Sequence, residues 1–163
     1  MSIQVGDVIP DVQVHRMGEK GPEPLNTGEL LAQGVSVVFA VPGAFTPGCS
    51  NTHLPGFVVL ADKIKAAGAD RIVCMAVNDA FVMHAWGQAQ NAEELVMLAD
   101  GNGDFARALG LALDASGFGM GQRSQRFAMI VKDGRLTHLG VEPAGGITVS
   151  SAESVLEALK ALV

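Results

Sequence analysis

Basic residues and long apolar runs are both scarce in this chain, and each shortage excludes a class of partner. The 11 Lys and Arg residues are outnumbered by 17 Asp and Glu residues and are scattered along the sequence. This argues against a nucleic-acid partner, because such binding depends on Lys and Arg neutralising phosphates. No apolar run approaches the roughly 18 to 20 residues that a bilayer span needs. We therefore expect neither nucleic acid nor a membrane among its partners.

Cysteine is scarce as well, with Cys49 and Cys74 the two in 163 residues. The N-terminal residues have neither the basic and apolar regions nor the cleavage site of a signal peptide, so we expect a cytoplasmic protein. Thiols stay reduced in that compartment, which disfavours a structural disulfide. Neither CxxC nor HExxH occurs, and the four His residues show no ligand spacing. We therefore expect no metal and no organic cofactor.

Apolar residues are plentiful, by contrast, and their order predicts an α/β fold. With 48% hydrophobic and 17% charged residues, the composition is globular, and we interpret residues 1–163 as one domain. Near-continuous apolar runs predict strands buried on both faces, and apolar spacings of three and four predict amphipathic helices. The predicted strands are 35–41, 71–77 and 94–99, and the predicted helices are 51–67, a segment after Asn78 or Asp79, and 105–109. This alternation indicates a largely parallel sheet.

The two ends of the chain show other patterns. The segment 3–14 predicts an edge strand or hairpin, the Gly- and Pro-rich segment 17–28 predicts a loop, and 29–33 predicts one helical turn. Near the C-terminus, the dipeptide Asp-Gly separates two strand-like runs, which is a strong hairpin signal. The strands of this predicted hairpin are 126–131 and 135–141.

Two later helices have predicted starts and buried faces. Asp79 is a candidate cap for the helix that follows it, and we expect that helix to bury the face carrying Phe81 and Trp86. For the C-terminal helix, Ser150 with Glu153 has the spacing of a capping box.

Cys49 stands where the strand 35–41 gives way to the helix 51–67. A thiol at that junction lies among unpaired backbone N–H groups at the positive end of the helix dipole, which favours the thiolate. Two prolines and two glycines constrain the intervening loop. Thr46, three residues before the cysteine, can present a hydroxyl to it. The sequence therefore predicts a reactive Cys49.

The arrangement PxxxTPxC, formed by Pro42, Thr46 and Cys49, resembles the peroxidatic motif of peroxiredoxins. VPGAFTPGCSNTHLPGF is similar to the type-5 subfamily, called type II in plants. The likeness extends through RIVCMAVNDAFVMHAWG, LADGNGDFARALGL and QRFAMIVKDGRLTHLGVEP, and so covers essentially the whole chain. The resemblance implies a thioredoxin-like α/β fold: a central mixed sheet flanked by helices, with an N-terminal strand or hairpin extension.

The resemblance also implies roles for individual residues. Cys49 would attack hydrogen peroxide or an alkyl hydroperoxide as a thiolate and become a sulfenic acid. Thr46 would hydrogen-bond the substrate oxygens, and Pro42 would shield the pocket from water. Arg126 would hold the thiolate and polarise the peroxide; its neighbour Arg123 is the competing assignment.

Several alternatives stay open at this point. His53 follows Cys49 by one helical turn and could either approach the thiol or pack within the helix start. Phe118 could wall the pocket or anchor a loop. The cysteine could also serve a redox sensor or interaction protein instead of a peroxidase. A thiol–disulfide oxidoreductase is disfavoured because the second position of a CxxC pair would be Thr52.

Cys74 bears on how an oxidised Cys49 would be recycled. It lies in the middle of a predicted strand, and buried thiols in apolar surroundings are inert. Some relatives carry a resolving cysteine before the last helix, but the corresponding stretch AGGITVSSAES has none. We therefore expect a one-cysteine mechanism with an external thiol. By resemblance the donor is glutathione with glutaredoxin ahead of thioredoxin, and the protein is a homodimer.

Overall fold

A mixed β-sheet forms the centre of the computed structural model, which describes residues 2–143 and 146–162. In chain order its strands are β1 (Gln13–Gly18), β2 (Gly21–Asn26), β3 (Val35–Ala40), β4 (Arg71–Ala76) and β5 (Val96–Ala99), then, after a separate small pair of β6 (Ala112–Asp114) and β7 (Gln122–Ser124), β8 (Phe127–Lys132) and β9 (Arg135–Val141). Within the described residues the order across the sheet is β2-β1-β5-β4-β3-β8-β9. The strands β3, β4 and β5 run parallel, whereas β8 is antiparallel to β3.

Helices cover both faces of this sheet. They are α1 (Thr27–Leu30), α2 (Leu54–Ala66), α3 (Ala80–Ala89), α4 (Asp104–Leu109) and α5 (Ala152–Leu162), with a π-helical turn, Cys49–His53, directly before α2. Residues of α2, α3 and α5 share one core layer, and residues of α4 pack in the other. None of the helices in the described part of the chain is long and apolar enough to cross a bilayer. The predicted thioredoxin-like fold, a mixed sheet flanked by helices, is confirmed.

The double burial of the central strands explains their sequence pattern. In β3, Val37 and Phe39 face the core layer of α2, while Val38 and Ala40 face the opposite layer, and all four are fully buried. Because side chains alternate between the faces of a strand, a strand covered on both sides needs apolar residues at every position. The continuous runs at 35–41 and 71–77 were therefore correctly interpreted as central strands.

The N-terminal hairpin lies later in the chain than predicted. The segment 17–28, expected to be a loop, contributes to both β1 and β2, whereas most of 3–14 has no regular structure. Pro22 and Pro24 lie in β2 opposite Met17 and His15, at the outer edge of the sheet. An edge strand tolerates prolines two residues apart, because the missing N–H groups are those that would point away from the partner strand.

The helices α1 and α3 also differ from the prediction. α1 begins at Thr27 instead of residue 29, because the Asn26 side chain accepts a hydrogen bond from Glu29 N at 3.0 Å and so caps the turn earlier. In α3 the predicted cap is present, since Asp79 accepts from Val82 N at 2.8 Å. The predicted buried face is shifted, because Phe81 is 63% exposed. The buried residues of α3 are Ala80, Met83, Trp86 and Gly87.

The predicted capping box of the last helix is wrong by one residue. Ser151, not Ser150, accepts a hydrogen bond through its Oγ from Ser154 N, at 3.2 Å. Ser150 is fully buried, and its Oγ donates to the carboxylate of Glu142 at 2.7 Å. A side chain that is used in this long-range contact is not available to cap the helix.

Candidate active site

The segment between β3 and the π-helical turn is a tight, constrained loop. The Ala44 N–H donates to Asn78 Oδ1 at 2.9 Å, which ties the loop to the residues after β4. Phe45 has a φ of 64°, in the left-handed region that a bulky residue rarely adopts. Such strained residues persist where the surrounding structure holds them, and they cluster at functional sites.

The π-helical turn Cys49–His53 places its first and last residues on one side. The Leu54 N–H donates to the Cys49 carbonyl, five residues back, which is the hydrogen bond of a π-helix. Cys49 is fully buried, and His53 is 1% exposed. Single π-turns of this kind occur frequently at functional sites. The predicted helix start at the cysteine is therefore a wider turn, which the regular helix α2 continues.

Arg126 brings a fixed positive charge to the cysteine. It directly precedes β8, whose first residue Phe127 lies opposite Ala40 at the end of β3. Its Nη2 donates to Cys49 Sγ at 3.2 Å, and its Nη1 donates to His53 Nδ1 at 2.8 Å. A guanidinium beside a sulfur favours the thiolate over the neutral thiol.

The competing residue Arg123 has other partners. Its Nε donates to the Met120 carbonyl at 2.9 Å and its Nη1 reaches the Pro42 carbonyl at 3.5 Å. The structure therefore brings Arg126 to the sulfur and uses Arg123 to hold the loop that contains Pro42. Pro42 itself is partly buried at the start of that loop.

Thr46 also lies in this loop, and its hydroxyl makes a hydrogen bond within the loop. Its Oγ1 donates to the Gly43 carbonyl at 2.7 Å and not to Cys49. The hydroxyl proton is therefore used within the loop, and the oxygen lone pairs remain able to accept a hydrogen bond. Thr46 can thus receive a proton donor from a bound small molecule.

His53 is neutral, and its tautomer follows from its two partners. Nδ1 faces Arg126, which can only donate, and Nε2 lies 2.8 Å from the Ser150 carbonyl, which can only accept. The ring therefore carries its proton on Nε2. Burial lowers the pKa of His53 to about 4; the charge of Arg126 also lowers it, against opposing effects of the Ser150 hydrogen bond and Glu142.

Comparisons with known proteins fit this site. A model of the Redoxin family matches residues 4–156. Peroxiredoxin-2B of Arabidopsis thaliana is 45% identical over 159 residues, which cover 96% of this chain and 98% of the relative. The chain belongs to the peroxiredoxin family. Its homologues support a thiol-dependent peroxidase activity.

Two solved structures extend the comparison. Reduced Prx3 from Vibrio vulnificus in complex with H2O2 has a TM-score of 0.93 and 52% identity, covering 96% of this peroxiredoxin and 99% of that chain. Peroxiredoxin 5 from Alvinella pompejana has a TM-score of 0.85 and 37% identity, covering 98% and 99% of the two chains.

The other cysteine of this peroxiredoxin is fully buried in the middle of β4. Cys74 shares the core layer of Cys49, together with Ile72 and Ala76. Burial raises the pKa of Cys74 well above its usual value, and the nearby Cys49 adds to that effect. Both cysteines are free thiols in the described chain. The burial of Cys74, which its position in the sequence predicted, is confirmed.

Two aromatic residues near the site have different settings from those considered in the sequence. Phe118 is 87% exposed, in a short turn that follows β6, and does not form a buried wall. Trp86, interpreted from the sequence as packing, also donates through Nε1 to Ser50 Oγ at 2.9 Å. Its ring lies 6.5 Å from that of Phe45. Trp86 therefore contacts residues that precede and follow Cys49 in the sequence. No local sequence signal indicated this role.

The described residues bring no three His, Cys, Asp or Glu side chains together in a group that could hold a metal ion. The polar group in contact with the sulfur is instead the guanidinium of Arg126, a hydrogen-bond donor. These residues can hold a thiolate, accept a hydrogen bond from a bound molecule and place positive charge beside a neighbouring oxygen. These are the requirements for nucleophilic attack by sulfur.

We predict that His53 makes folding stability depend on pH. The unfolded His53 binds a proton near pH 6.5, whereas the folded residue does so only near pH 4. Between these values the unfolded state binds more protons, so stability falls as the pH falls. From pH 7.5 to 5 the loss should be about 2 kcal/mol in the free energy of unfolding.

Urea unfolding of reduced protein, followed by Trp86 fluorescence, measures this loss. His53→Phe removes the titrating group and should reduce the pH dependence by the stated amount, and His84→Gln, at an exposed histidine, should leave it unchanged. Equal pH dependence in wild type and His53→Phe would contradict the assignment of a neutral His53.

Proposed function

We propose that this peroxiredoxin reduces hydrogen peroxide and alkyl hydroperoxides through Cys49. The observation that carries the proposal is the 3.2 Å hydrogen bond from Arg126 Nη2 to Cys49 Sγ at the start of the π-helical turn. The thiolate attacks one peroxide oxygen, the O–O bond breaks, and the other oxygen leaves as water or alcohol after gaining a proton. Cys49 is left as a sulfenic acid.

The neighbouring residues suit the charge changes in this step. Negative charge leaves the sulfur and develops on the departing oxygen, and a guanidinium beside both atoms stabilises both states. The lone pairs of Thr46 Oγ1 are available to accept the peroxide O–H, because its own proton is held by Gly43. Pro42 begins the loop that shields the sulfur. The complex of the Vibrio Prx3 with H2O2 supports peroxide as the substrate class.

We propose a one-cysteine cycle for regeneration, as in type-5 peroxiredoxins that lack a separate resolving cysteine. Cys74 is buried in a central strand with a raised pKa, which makes it a poor nucleophile toward the sulfenic acid. An external thiol forms a mixed disulfide with Cys49 and releases water, and a second thiol then frees Cys49. Glutathione with glutaredoxin is our preferred donor, ahead of thioredoxin.

Regeneration requires the site to open. Cys49 has no exposed surface in this conformation, so a thiol donor much larger than a peroxide reaches the sulfur only after the π-helical turn unwinds. The contacts of Trp86 with Ser50 and Phe45 oppose this opening. Such a cycle needs a reducing compartment, and the cytoplasm remains our proposal for its location.

We predict different results for the two cysteine variants. Cys49→Ser should abolish peroxide consumption, since oxygen replaces the attacking sulfur, whereas Cys74→Ser should keep most of the activity. The assay follows peroxide consumption with glutathione plus glutaredoxin, and in parallel with thioredoxin.

Two outcomes would contradict this scheme. A single stoichiometric oxidation that neither donor reverses would favour the redox-sensor alternative over a peroxidase. A disulfide between Cys49 and Cys74 in peroxide-treated protein, found by mass spectrometry together with lost activity in Cys74→Ser, would reject the one-cysteine cycle.

We further predict that substitutions of Arg126 and Arg123 differ strongly in their effect on the reaction with peroxide. Arg126→Gln should lower kcat/KM for peroxide by about 10²- to 10³-fold, the usual effect of removing a donor that stabilises transition-state charge. Arg123→Gln should change it by less than about tenfold, because the residue binds loop carbonyls and not the sulfur. Stopped-flow oxidation measures both. Equal losses in the two variants would mean that loop order, not charge at the sulfur, limits the reaction.

We also propose that the protein forms a homodimer through a surface next to the site. Three phenylalanines there are exposed: Phe45 by 55%, Phe81 by 63% and Phe118 by 87%. They lie on neighbouring segments, since Ala44 bonds to Asn78 and a Cβ on Gly43 would lie 3.0 Å from Met120 Cε. Large exposed apolar groups on neighbouring segments are typical of an interface.

We predict that Phe81→Ser combined with Phe118→Ser converts the dimer to a monomer at micromolar concentration, because burial of these rings supplies the apolar area. Sedimentation velocity distinguishes 16.9 kDa from twice that mass. Val59→Ser, at a residue that is 78% exposed on α2, is the control and should remain dimeric. A wild type that sediments as a monomer would refute the proposal.

A further inference from the structure

Glu142 is a buried carboxylate that the proposed reaction does not use. It follows β9, is 6% exposed, and accepts four hydrogen bonds from one short segment. The donors are Thr148 N at 2.8 Å, Thr148 Oγ1 at 3.0 Å, Ser150 N at 2.8 Å and Ser150 Oγ at 2.7 Å. Burial raises the pKa of this carboxyl, but the four hydrogen bonds outweigh it and lower the pKa overall. Glu142 is therefore an ionised anchor for residues 148–150.

The anchored segment reaches the active site through Ser150. Its N–H and Oγ both donate to Glu142 Oε2, and its carbonyl accepts from His53 Nε2 at 2.8 Å. The segment also passes very close to β9: a Cβ on Gly140 would lie 2.4 Å from the Val149 carbonyl oxygen. The Ser150 carbonyl is thus held in one position from two sides.

That carbonyl determines which way His53 presents its other nitrogen. With Nε2 donating to Ser150, Nδ1 is left as an acceptor and receives Arg126 Nη1 at 2.8 Å. The guanidinium is planar and rigid, so fixing Nη1 also fixes Nη2, which donates to Cys49 Sγ. The Glu142 N–H in addition donates to the Arg126 carbonyl at 2.9 Å. Glu142 therefore contacts Arg126 directly through its backbone N–H. Its side chain acts on Arg126 indirectly, through the hydrogen bonds to Ser150 and from His53 to Ser150.

We propose that Glu142 is a positioning residue for the Cys49 thiolate, acting through Ser150 and His53 to hold Arg126 against the sulfur. Its consequence for catalysis rests on the proposed peroxidase function, but its effect on the thiolate does not. Among the described residues, the ionisable groups near the sulfur include Arg126, in contact with it, and Cys74, in the same core layer. Arg123 lies against the neighbouring loop, with its Nη1 at the Pro42 carbonyl. His53 lies behind Arg126, and Glu142 behind His53.

The test is the pH profile of Cys49 alkylation by iodoacetamide, measured in the Cys74→Ser background so that one thiol reports. Glu142→Ala should move the midpoint upward by about one pH unit, the effect of weakening a charge-assisted hydrogen bond to the thiolate. Glu142→Gln should recover most of this shift, because an amide oxygen can keep the Ser150 donors while the amide nitrogen donates to Thr148 Oγ1.

Ser151→Ala is the matched control. It removes hydrogen bonds of the same segment, from Oγ to the Thr148 carbonyl and from Ser154 N to Oγ, but leaves the Glu142 chain intact. Its midpoint should equal that of the parent protein. A shift as large as that of Glu142→Ala would reduce the role of Glu142 to general support of the segment and overturn the proposal.

A double-mutant cycle tests the route. If Glu142 acts through His53, Glu142→Ala should add little to the midpoint shift of His53→Phe, because the chain is already broken. Fully additive shifts would overturn the proposed route. If Glu142→Ala does not fold, Glu142→Asp tests the same point, since its shorter carboxylate withdraws from Ser150 and should raise the midpoint. A wild type without peroxidase turnover but with these shifts would refute the proposed function and leave this inference standing.

Discussion

The hydrogen bond between the Arg126 guanidinium and the Cys49 sulfur is the interaction on which the rest of the site depends. A fully buried thiol has no water to stabilise its anion, so ionisation requires a fixed positive charge in contact with it. The fold supplies that charge from far along the chain, because β8 is antiparallel to β3 and its first residue, Phe127, pairs with Ala40. The end of β3 and the start of β8 therefore meet where the sulfur lies.

Rigidity at this point has a consequence for the catalytic cycle. The left-handed Phe45, the bond of Trp86 to Ser50 and the π-helical turn all hold Cys49 in one position, and preorganisation of this kind favours attack on a small peroxide. The same contacts close the sulfur to a protein donor. A turn held by a few side-chain contacts can open locally at much smaller cost than unfolding the core, which makes a buried Cys49 compatible with the external reductant that we propose.

The sequence predicted those features whose signals are local. Burial on both faces requires continuous apolar runs in β3 and β4, so the fold class could be inferred. Thr46 and Cys49 lie within one motif, and this motif led to the nucleophile that we propose. The edge position of β2 could not, since it depends on the order of distant strands, and its prolines indicated a loop. The cap of α5 was misassigned because Ser150 bonds to Glu142, eight residues away. The contact of His53 with Ser150 spans 97 residues and leaves no pattern in the sequence.

The neutral state of His53 is what allows one guanidinium to serve both the histidine and the cysteine. A protonated imidazole would have no lone pair at Nδ1 and would repel Arg126, so the cation would lose its second fixed partner. Burial against Phe39 and Phe57, whose rings lie 5.0 and 5.6 Å away, prevents this, because desolvation disfavours the charged ring. The carboxylate of Glu142 raises the pKa of His53, but this effect is smaller than that of burial. The same carboxylate accepts four hydrogen bonds from residues 148–150. Glu142 carries a negative charge and Arg126 a positive charge, and the two residues that connect them, Ser150 and His53, are neutral. The positive charge of Arg126 therefore remains available to the sulfur.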